Sequence, residues 1–133
     1  MQNKLHKAIP PDVEHIVTII LDSAFKVHRA LGPGLLENVY EVCLCHELTK
    51  AGIKFQRQIE LTIIYDGIKL NSGLRLDVLV EEQVVLELKA VESMIPVYEA
   101  QILTYLKLTG KRLGLLINFN VPLLKDGIKQ IIL

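Results

Sequence analysis

Residues 74–89 read LRLDVLVEEQVVLELK, and this stretch decides the fold. Apolar residues alternate on both sides of a short acidic turn at residues 81–83, a pattern typical of two β-strands joined as an antiparallel hairpin. The even-numbered residues of the two strands are apolar and are predicted to share one face of the sheet. The odd-numbered residues share the opposite face and include Asp77, Glu87 and Lys89.

The register of this hairpin decides whether its acids meet. A three-residue loop places Asp77 opposite Glu87 and Arg75 opposite Lys89, whereas a two-residue loop would mix the two faces. The register stays open because the loop lacks the glycine that three-residue hairpins favour. Two carboxylates about 5 Å apart repel unless a proton or a cation lies between them. The pattern therefore predicts a site for Mg²⁺, with Mn²⁺ able to take its place.

Lys89 lies two residues beyond Glu87 and points to the same face. There it would orient or activate a metal-bound water, or neutralise charge on a phosphate. The alternative is a solvated sheet face held by cross-strand ion pairs, and the hairpin alone does not separate the two interpretations.

The rest of the chain predicts helices and further strands around the hairpin. Apolar steps of three and four from Val13 to Leu31, after an opening at residues 10–12, indicate one amphipathic helix, and a second follows at about residues 36–51. The remaining elements are strands at 58–65, 68–70 and 112–119, a helix at 96–110 and an edge strand within 125–133. We expect a single α/β domain over residues 1–133, with a central mixed sheet flanked by helices.

Helical spacing adds three polar residues to the candidate site. Glu37 lies within about 20° of Leu44 and Leu48 around the helix axis, so we expect it to face the protein body, where a lone charge is costly. It would then be a third acid of the site, although the helix dipole also favours a glutamate in the first turn. Gln101 and Tyr105 are neighbours on one helical face. They would contact a phosphate or hold the catalytic lysine, or they are ordinary boundary residues.

Composition limits the classes of function. Fifteen basic residues balance fifteen acidic ones in the 133-residue chain, so binding of nucleic acid through bulk positive charge is disfavoured. A local patch remains open, built from Lys54, Arg57, Arg75, Lys107, Lys111 and Arg112. Two cysteines cannot form a disulfide framework. With no signal peptide and no membrane-spanning run, we expect a cytoplasmic protein without a membrane partner.

Several of these residues together resemble a known family. Gly34, Glu37 and Tyr40 match the signature Gly-x-x-Glu-x-x-Tyr of the GxxExxY proteins, a small bacterial and archaeal group assigned to the PD-(D/E)XK nuclease superfamily. The resemblance continues through Leu-Asp-Val at 76–78 and Glu-Leu-Lys at 87–89 to the apolar strand at 113–119. One departure is a leucine at position 76, where the superfamily name has proline.

The resemblance implies a restriction-endonuclease-like fold and a Mg²⁺-dependent phosphodiesterase that cleaves DNA or RNA through an activated water. Asp77 and Glu87 are similar to the metal-binding acids, and Glu37 to an additional acid that binds a second metal or its water. Lys89 is similar to the lysine that assists the attacking water. Gln101 and Tyr105 resemble the polar helix positions that bind substrate.

Two other functions stay open at this level. The first is a catalytically inactive module that keeps the fold and binds nucleic acid or a protein partner. The second is a purely structural interaction protein, which predicts no metal affinity. Because the chain has little room beyond its core for gripping a substrate, we also expect a homodimer or a protein partner.

Overall fold

A five-stranded mixed sheet forms the centre of the computed structural model, which describes residues 8–133. The strands lie in chain order: β1 (Phe55–Tyr65), β2 (Ile68–Val80), β3 (Val84–Lys89), β4 (Leu113–Asn118) and β5 (Ile128–Ile132). Only β3 and β4 are parallel, and the other neighbours are antiparallel. A parallel pair requires a crossover, which helix α3 (Pro96–Thr109) supplies.

Helices cover both faces of the sheet and so create two cores. Helices α1 (Pro11–Leu31) and α2 (Glu37–Lys50) pack on one face, where their apolar residues meet those of β3 and β4. Helix α3 packs on the other face against a smaller cluster. Every residue of β4 is buried, as expected for an almost wholly apolar strand between two helical layers. The predicted α/β fold with a mixed sheet flanked by helices is confirmed.

Most predicted elements appear close to their expected bounds, and the carboxyl-terminal strand is an edge strand. One difference concerns β2, which is continuous from Ile68 to Val80 instead of being interrupted before residue 74. Its pairing with β1 shifts by two residues between Leu61 and Thr62, which accommodates Ser72 and Gly73 as a bulge. The predicted interruption was therefore a bulge within one strand.

The β2–β3 hairpin has the predicted three-residue loop, with Val80 paired to Val84. Glu81 and Glu82 take the left-handed conformation there, with φ of 51° and 57°, which is uncommon for residues other than glycine. The loop is held from outside, because the Glu81 carboxylate accepts a hydrogen bond from the Lys54 backbone N–H at 2.8 Å. The Glu81 backbone N–H in turn donates to the Lys54 carbonyl at 2.9 Å. These contacts replace the missing glycine.

The predicted alternation along β2 fails at Asp77. Val78 and Val80 pack in the core beneath α1 and α2, as expected. Leu76 and Leu74, predicted to share their face, instead pack in the α3 core. The even-numbered apolar residues of β2 therefore point to one face of the sheet before Asp77 and to the opposite face after it.

The neighbouring strand β1 changes face at the same level. Phe55 packs against the α1–α2 core, whereas Ile59 packs against the α3 core. Between them, Gln58 has a left-handed φ of 52°, and the β1–β2 pairing passes over Gln58 and Asp77. A single left-handed residue in an extended strand reverses the alternation that follows it, and this explains why the simple period of two did not hold.

Candidate active site

Strands β2 and β3 separate beyond the pair Val78–Leu86, and we call the gap between Asp77 and Glu87–Leu88 the fork. Side chains replace the backbone ladder there. The Asp77 backbone N–H donates to Oε2 of Glu87 at 2.9 Å, and the Leu88 backbone N–H donates to Oδ2 of Asp77 at 2.8 Å. The two acids thus meet at the predicted level, each with one oxygen fixed on the other strand.

The predicted pairing of Arg75 with Lys89 is wrong, because the strands have already separated at that level. Arg75 instead faces Glu60 of β1, at 3.7 Å.

Burial makes the charge on these two acids costly. Glu87 is only 5% exposed, and its burial, followed by the charge of Asp77, raises the pKa of Glu87 to about 8. Burial also raises the pKa of Asp77, while the hydrogen bond from the Leu88 N–H opposes that rise. Two carboxyl groups held this close and away from water favour a proton or a cation between them.

Glu37 is exposed, so the prediction that it is buried in the apolar stripe is wrong. It is the first residue of α2, and the first turn extends past the edge of the core. Its carboxyl group is nevertheless close to the fork. Partial burial and then the charge of Asp77 raise the pKa of Glu37, and Lys89 lowers it. The structure therefore brings Glu37 within electrostatic range of Asp77 and Lys89 as a more exposed third acid.

The other signature residues determine where α2 begins. Tyr40 is fully buried, its ring stacks on Phe119 at 4.6 Å, and its hydroxyl donates to the Gly32 carbonyl at 2.6 Å. Gly34 has a φ of 100°, a conformation that glycine adopts without steric cost. These residues shape the loop before Glu37 and so position its carboxyl group.

Lys89 stands beside the acids without being bonded to them. Its Nζ lies 4.5 Å from the centre of the Tyr98 ring, a distance typical of a cation–π contact. Among residues 8–133, Lys89 forms no ion pair with an acid. Its charge still lowers the pKa of both Asp77 and Glu87. The ammonium group therefore influences the fork and remains available to another anion.

Tyr105 of α3 lies within electrostatic range of the acids, and Gln101 lies beside Tyr105 on the same helix. Tyr105 is 3% exposed, and burial, Glu87 and Asp77 raise its pKa, while a hydrogen bond from Gln101 lowers it. Because Tyr105 is so deeply buried, it is better placed to influence the acids than to contact a substrate. Gln101 is half-buried and is the better placed of the two for the predicted substrate contact.

A family model for the PD-(D/E)XK nuclease superfamily matches residues 14–131. The chain belongs to this superfamily. Asp77, Glu87 and Lys89 stand in the order that the superfamily's name describes, and membership of the GxxExxY group stays a prediction. No match was found among curated proteins or among solved structures. Within residues 8–133, no helix has the length and apolarity needed to cross a bilayer.

Sequence reasoning missed Glu41 and Gln58 beside the candidate site, and it assigned Arg57 only to the basic patch. Glu41 of α2 is 3% exposed and accepts hydrogen bonds from Arg57 and Gln58 of β1. A signal for Glu41 was present, because it lies three residues before Leu44 and hence in the apolar stripe of the helix. Nothing in the sequence indicates the left-handed backbone of Gln58.

The acids at the fork have the chemistry that a hard divalent cation requires. Mg²⁺ binds oxygen ligands, typically one or two carboxylates, and keeps several waters. Asp77 and Glu87 each use one oxygen on a backbone N–H and retain lone pairs for a cation. Among the described residues, no group of three or more His, Cys, Asp or Glu side chains is already arranged as a metal cage. A site with two carboxylates and water ligands therefore fits best.

Two residues of the candidate basic patch lie on opposite faces of the sheet. Arg57 pairs with Glu41 on the α2 side, at 2.8 Å. Lys107 belongs to α3, on the opposite side. Such a division does not provide the continuous basic surface that duplex binding uses.

Proposed function

We propose that this member of the nuclease superfamily is a Mg²⁺-dependent phosphodiesterase that hydrolyses DNA or RNA, with Mn²⁺ able to replace Mg²⁺. The observation that carries the proposal is the fork, where buried Glu87 and half-buried Asp77 are held together and Lys89 lies beside them without an ion pair. Without a cation, this arrangement costs free energy. Binding of a cation offsets that cost.

Asp77 and Glu87 would hold the cation, which when bound polarises the phosphate and increases the acidity of a water molecule. Their orientation is fixed before binding, because each carboxylate already accepts a backbone hydrogen bond from the other strand. Glu37, more exposed and in the field of Asp77, would bind a second cation or orient the water.

Lys89 would act on the substrate. Negative charge builds up on the phosphate oxygens as water attacks, and a preorganised ammonium group stabilises that charge more in the transition state than in the ground state. The Tyr98 ring holds Nζ of Lys89 near the fork without neutralising it. Gln101 would contact the phosphate from α3.

The test is cleavage of labelled single- and double-stranded DNA and RNA in Mg²⁺ or Mn²⁺ by wild type and Lys89→Ala. We expect Lys89→Ala to lose about 10²–10³-fold in turnover while its fold and Mn²⁺ affinity remain. Lys107→Ala, an exposed lysine of α3, is the matched control and should cleave like wild type. If Lys89→Ala cleaved at the wild-type rate, the assignment of Lys89 would be wrong.

Zero net charge and the divided basic residues favour a second candidate, an inactive nuclease-fold module that binds nucleic acid or a protein partner. It predicts oligonucleotide or partner binding without cleavage in any divalent cation. We further propose one domain over residues 1–133 that acts as a homodimer or with a partner. Sedimentation of the free protein and of its oligonucleotide complex would test this.

A further inference from the structure

Strands β1 and β2 continue past the fork as a hairpin of two strands, and we call residues 62–71 the arm. Strand β3 pairs with Val78–Val80 of β2, on the other side of the fork, so it does not extend along the arm. The core beneath α3 reaches Leu61 and Leu74, which are paired with each other at the base of the arm. The arm therefore projects beyond both the third strand and the helical layer.

The two faces of the arm differ in polarity. Residues directly opposite each other in an antiparallel pair share a face, and the faces alternate along each strand. One face is formed by two opposed apolar pairs, Ile63–Leu70 and Tyr65–Ile68, and we call it the arm face. The reverse face is mixed, because Ile64 lies opposite Lys69 there.

The arm face is an uncovered continuation of the α3 core. Leu61, two residues before Ile63 and on the same face, is buried in that core. Tyr65 and Ile68, at the tip, are 71% and 57% exposed. A hairpin of two strands is marginally stable in water unless another layer packs on it. A layer that covered the arm face would therefore stabilise the arm.

Charge distinguishes between the layers that could cover this face. Asp66 and Lys69 are the only charged residues among positions 62–71, and neither lies in the arm face. Nucleic acid binds through cationic side chains, which the arm face lacks. A second copy of the chain can present the same face across a two-fold axis, and the two uncharged faces then meet without repulsion.

The size of the arm face indicates how tightly two copies would associate. Its four large side chains supply less than the roughly 800 Å² per partner that a standard interface buries. Contacts of this smaller size are typical of reversible complexes. We therefore expect a dimer that dissociates in the micromolar range.

We propose that the arm face is the contact between two copies of this chain, packed face to face about a two-fold axis. The inference specifies the surface of the homodimer proposed above. It depends neither on cation binding at the fork nor on cleavage.

The test is sedimentation equilibrium over a concentration series, with hydrogen exchange measured at its two ends. Wild type should pass from monomer to dimer, and the amides of the arm should exchange more slowly in the dimer, because packing suppresses local opening. Ile68→Glu brings two carboxylates into the contact, so the Kd for dimerisation should rise at least about 100-fold. Its melting temperature at low concentration should equal that of wild type, since Ile68 is exposed in the monomer.

Ile64→Glu is the matched control, because Ile64 is 66% exposed but lies on the reverse face, opposite Lys69. This variant should dimerise like wild type. Equal weakening by both variants would place the contact at the strand edge and overturn the inference. Wild type that stayed monomeric throughout would also overturn it and leave the proposed phosphodiesterase standing. Dimeric wild type that bound no Mn²⁺ would overturn the proposed phosphodiesterase and leave the arm contact standing.

Discussion

The two ends of the β2–β3 hairpin follow different rules. At the loop end, Val78 to Val80 pair with Val84 to Leu86 in a regular ladder, and their side chains fill both cores. At the fork, carboxylates take the place of ladder partners, and the alternation of faces breaks. The loop end, with regular strand pairing, stabilises the fold. The fork, where that pairing stops, holds the two acids.

The largest effect is expected at the fork. Glu87→Gln removes a charge that would bind the cation, so Mg²⁺-dependent turnover should fall by about 10²–10³-fold. Without metal at pH 8, the variant should be more stable than wild type, because it no longer buries a carboxyl group with a pKa of about 8. Cleavage assays and urea unfolding in EDTA measure the two quantities. Glu82→Gln, in the exposed loop, is the control and should change neither.

The loop end should respond in the opposite manner. Leu86 is fully buried, so Leu86→Ala should lower the free energy of unfolding by about 2–5 kcal/mol. Turnover per folded molecule should stay near that of wild type, since Leu86 contributes packing and no chemistry. Urea unfolding and active-site-normalised cleavage would check this. A loss of turnover as large as that of Glu87→Gln would remove the distinction between the two ends.

The fork should also make stability depend on pH. The native pKa of Glu87, about 8, lies above its ordinary value of 4.5, so the native state retains a proton that the unfolded state releases. Stability is then fully present below about pH 4.5 and falls as pH rises through 8, by at most about 1.4 kcal/mol per pH unit. The raised pKa of Asp77 acts in the same direction.

Urea unfolding in EDTA across this pH range measures the decline. Mg²⁺ should reduce this decline of stability with pH, and Glu87→Gln should remove most of it. Stability that rose with pH in wild type would contradict the burial of Glu87.

The smallest effect concerns the loop before α2. Tyr40→Phe removes the hydroxyl that donates to the Gly32 carbonyl and accepts from the Leu35 N–H at 3.1 Å. We expect a loss of about 1–3 kcal/mol in unfolding free energy and a modest fall in turnover through displacement of Glu37. Calorimetry and cleavage assays measure these changes. Tyr65→Phe, at an exposed hairpin tip, should change neither.

Local patterns predicted the pairing of Asp77 with Glu87, because a three-residue loop and alternating residues favour that register, but the contacts from Lys54 that hold the loop could not be predicted. Asp77, Glu87 and Lys89 were therefore found from spacing alone, and their roles stay predictions. The error at Leu74 and Leu76 arose because both paired strands change face at the level of Asp77 and of Gln58, whose backbone is left-handed. Such a backbone depends on tertiary contacts and leaves no periodic signal.

Helix α2 shows a second limit of sequence reasoning. The helical wheel placed Glu37 in the apolar stripe but could not indicate where the core ends along the helix axis. The stripe is buried from Tyr40 onward, so Glu37 is exposed and Glu41 is the buried acid. Its partners Arg57 and Gln58 come from another strand, and their meeting depends on the packing of α2 against the sheet.

The most direct test is diffraction from crystals soaked in millimolar Mn²⁺, with anomalous differences recorded at the fork. We predict a peak between the carboxylates of Asp77 and Glu87, with Glu37 nearby and Lys89 bonded to neither acid. An empty fork, with Lys89 forming ion pairs to both acids, would contradict a working phosphodiesterase and favour a protein that binds through its fold alone.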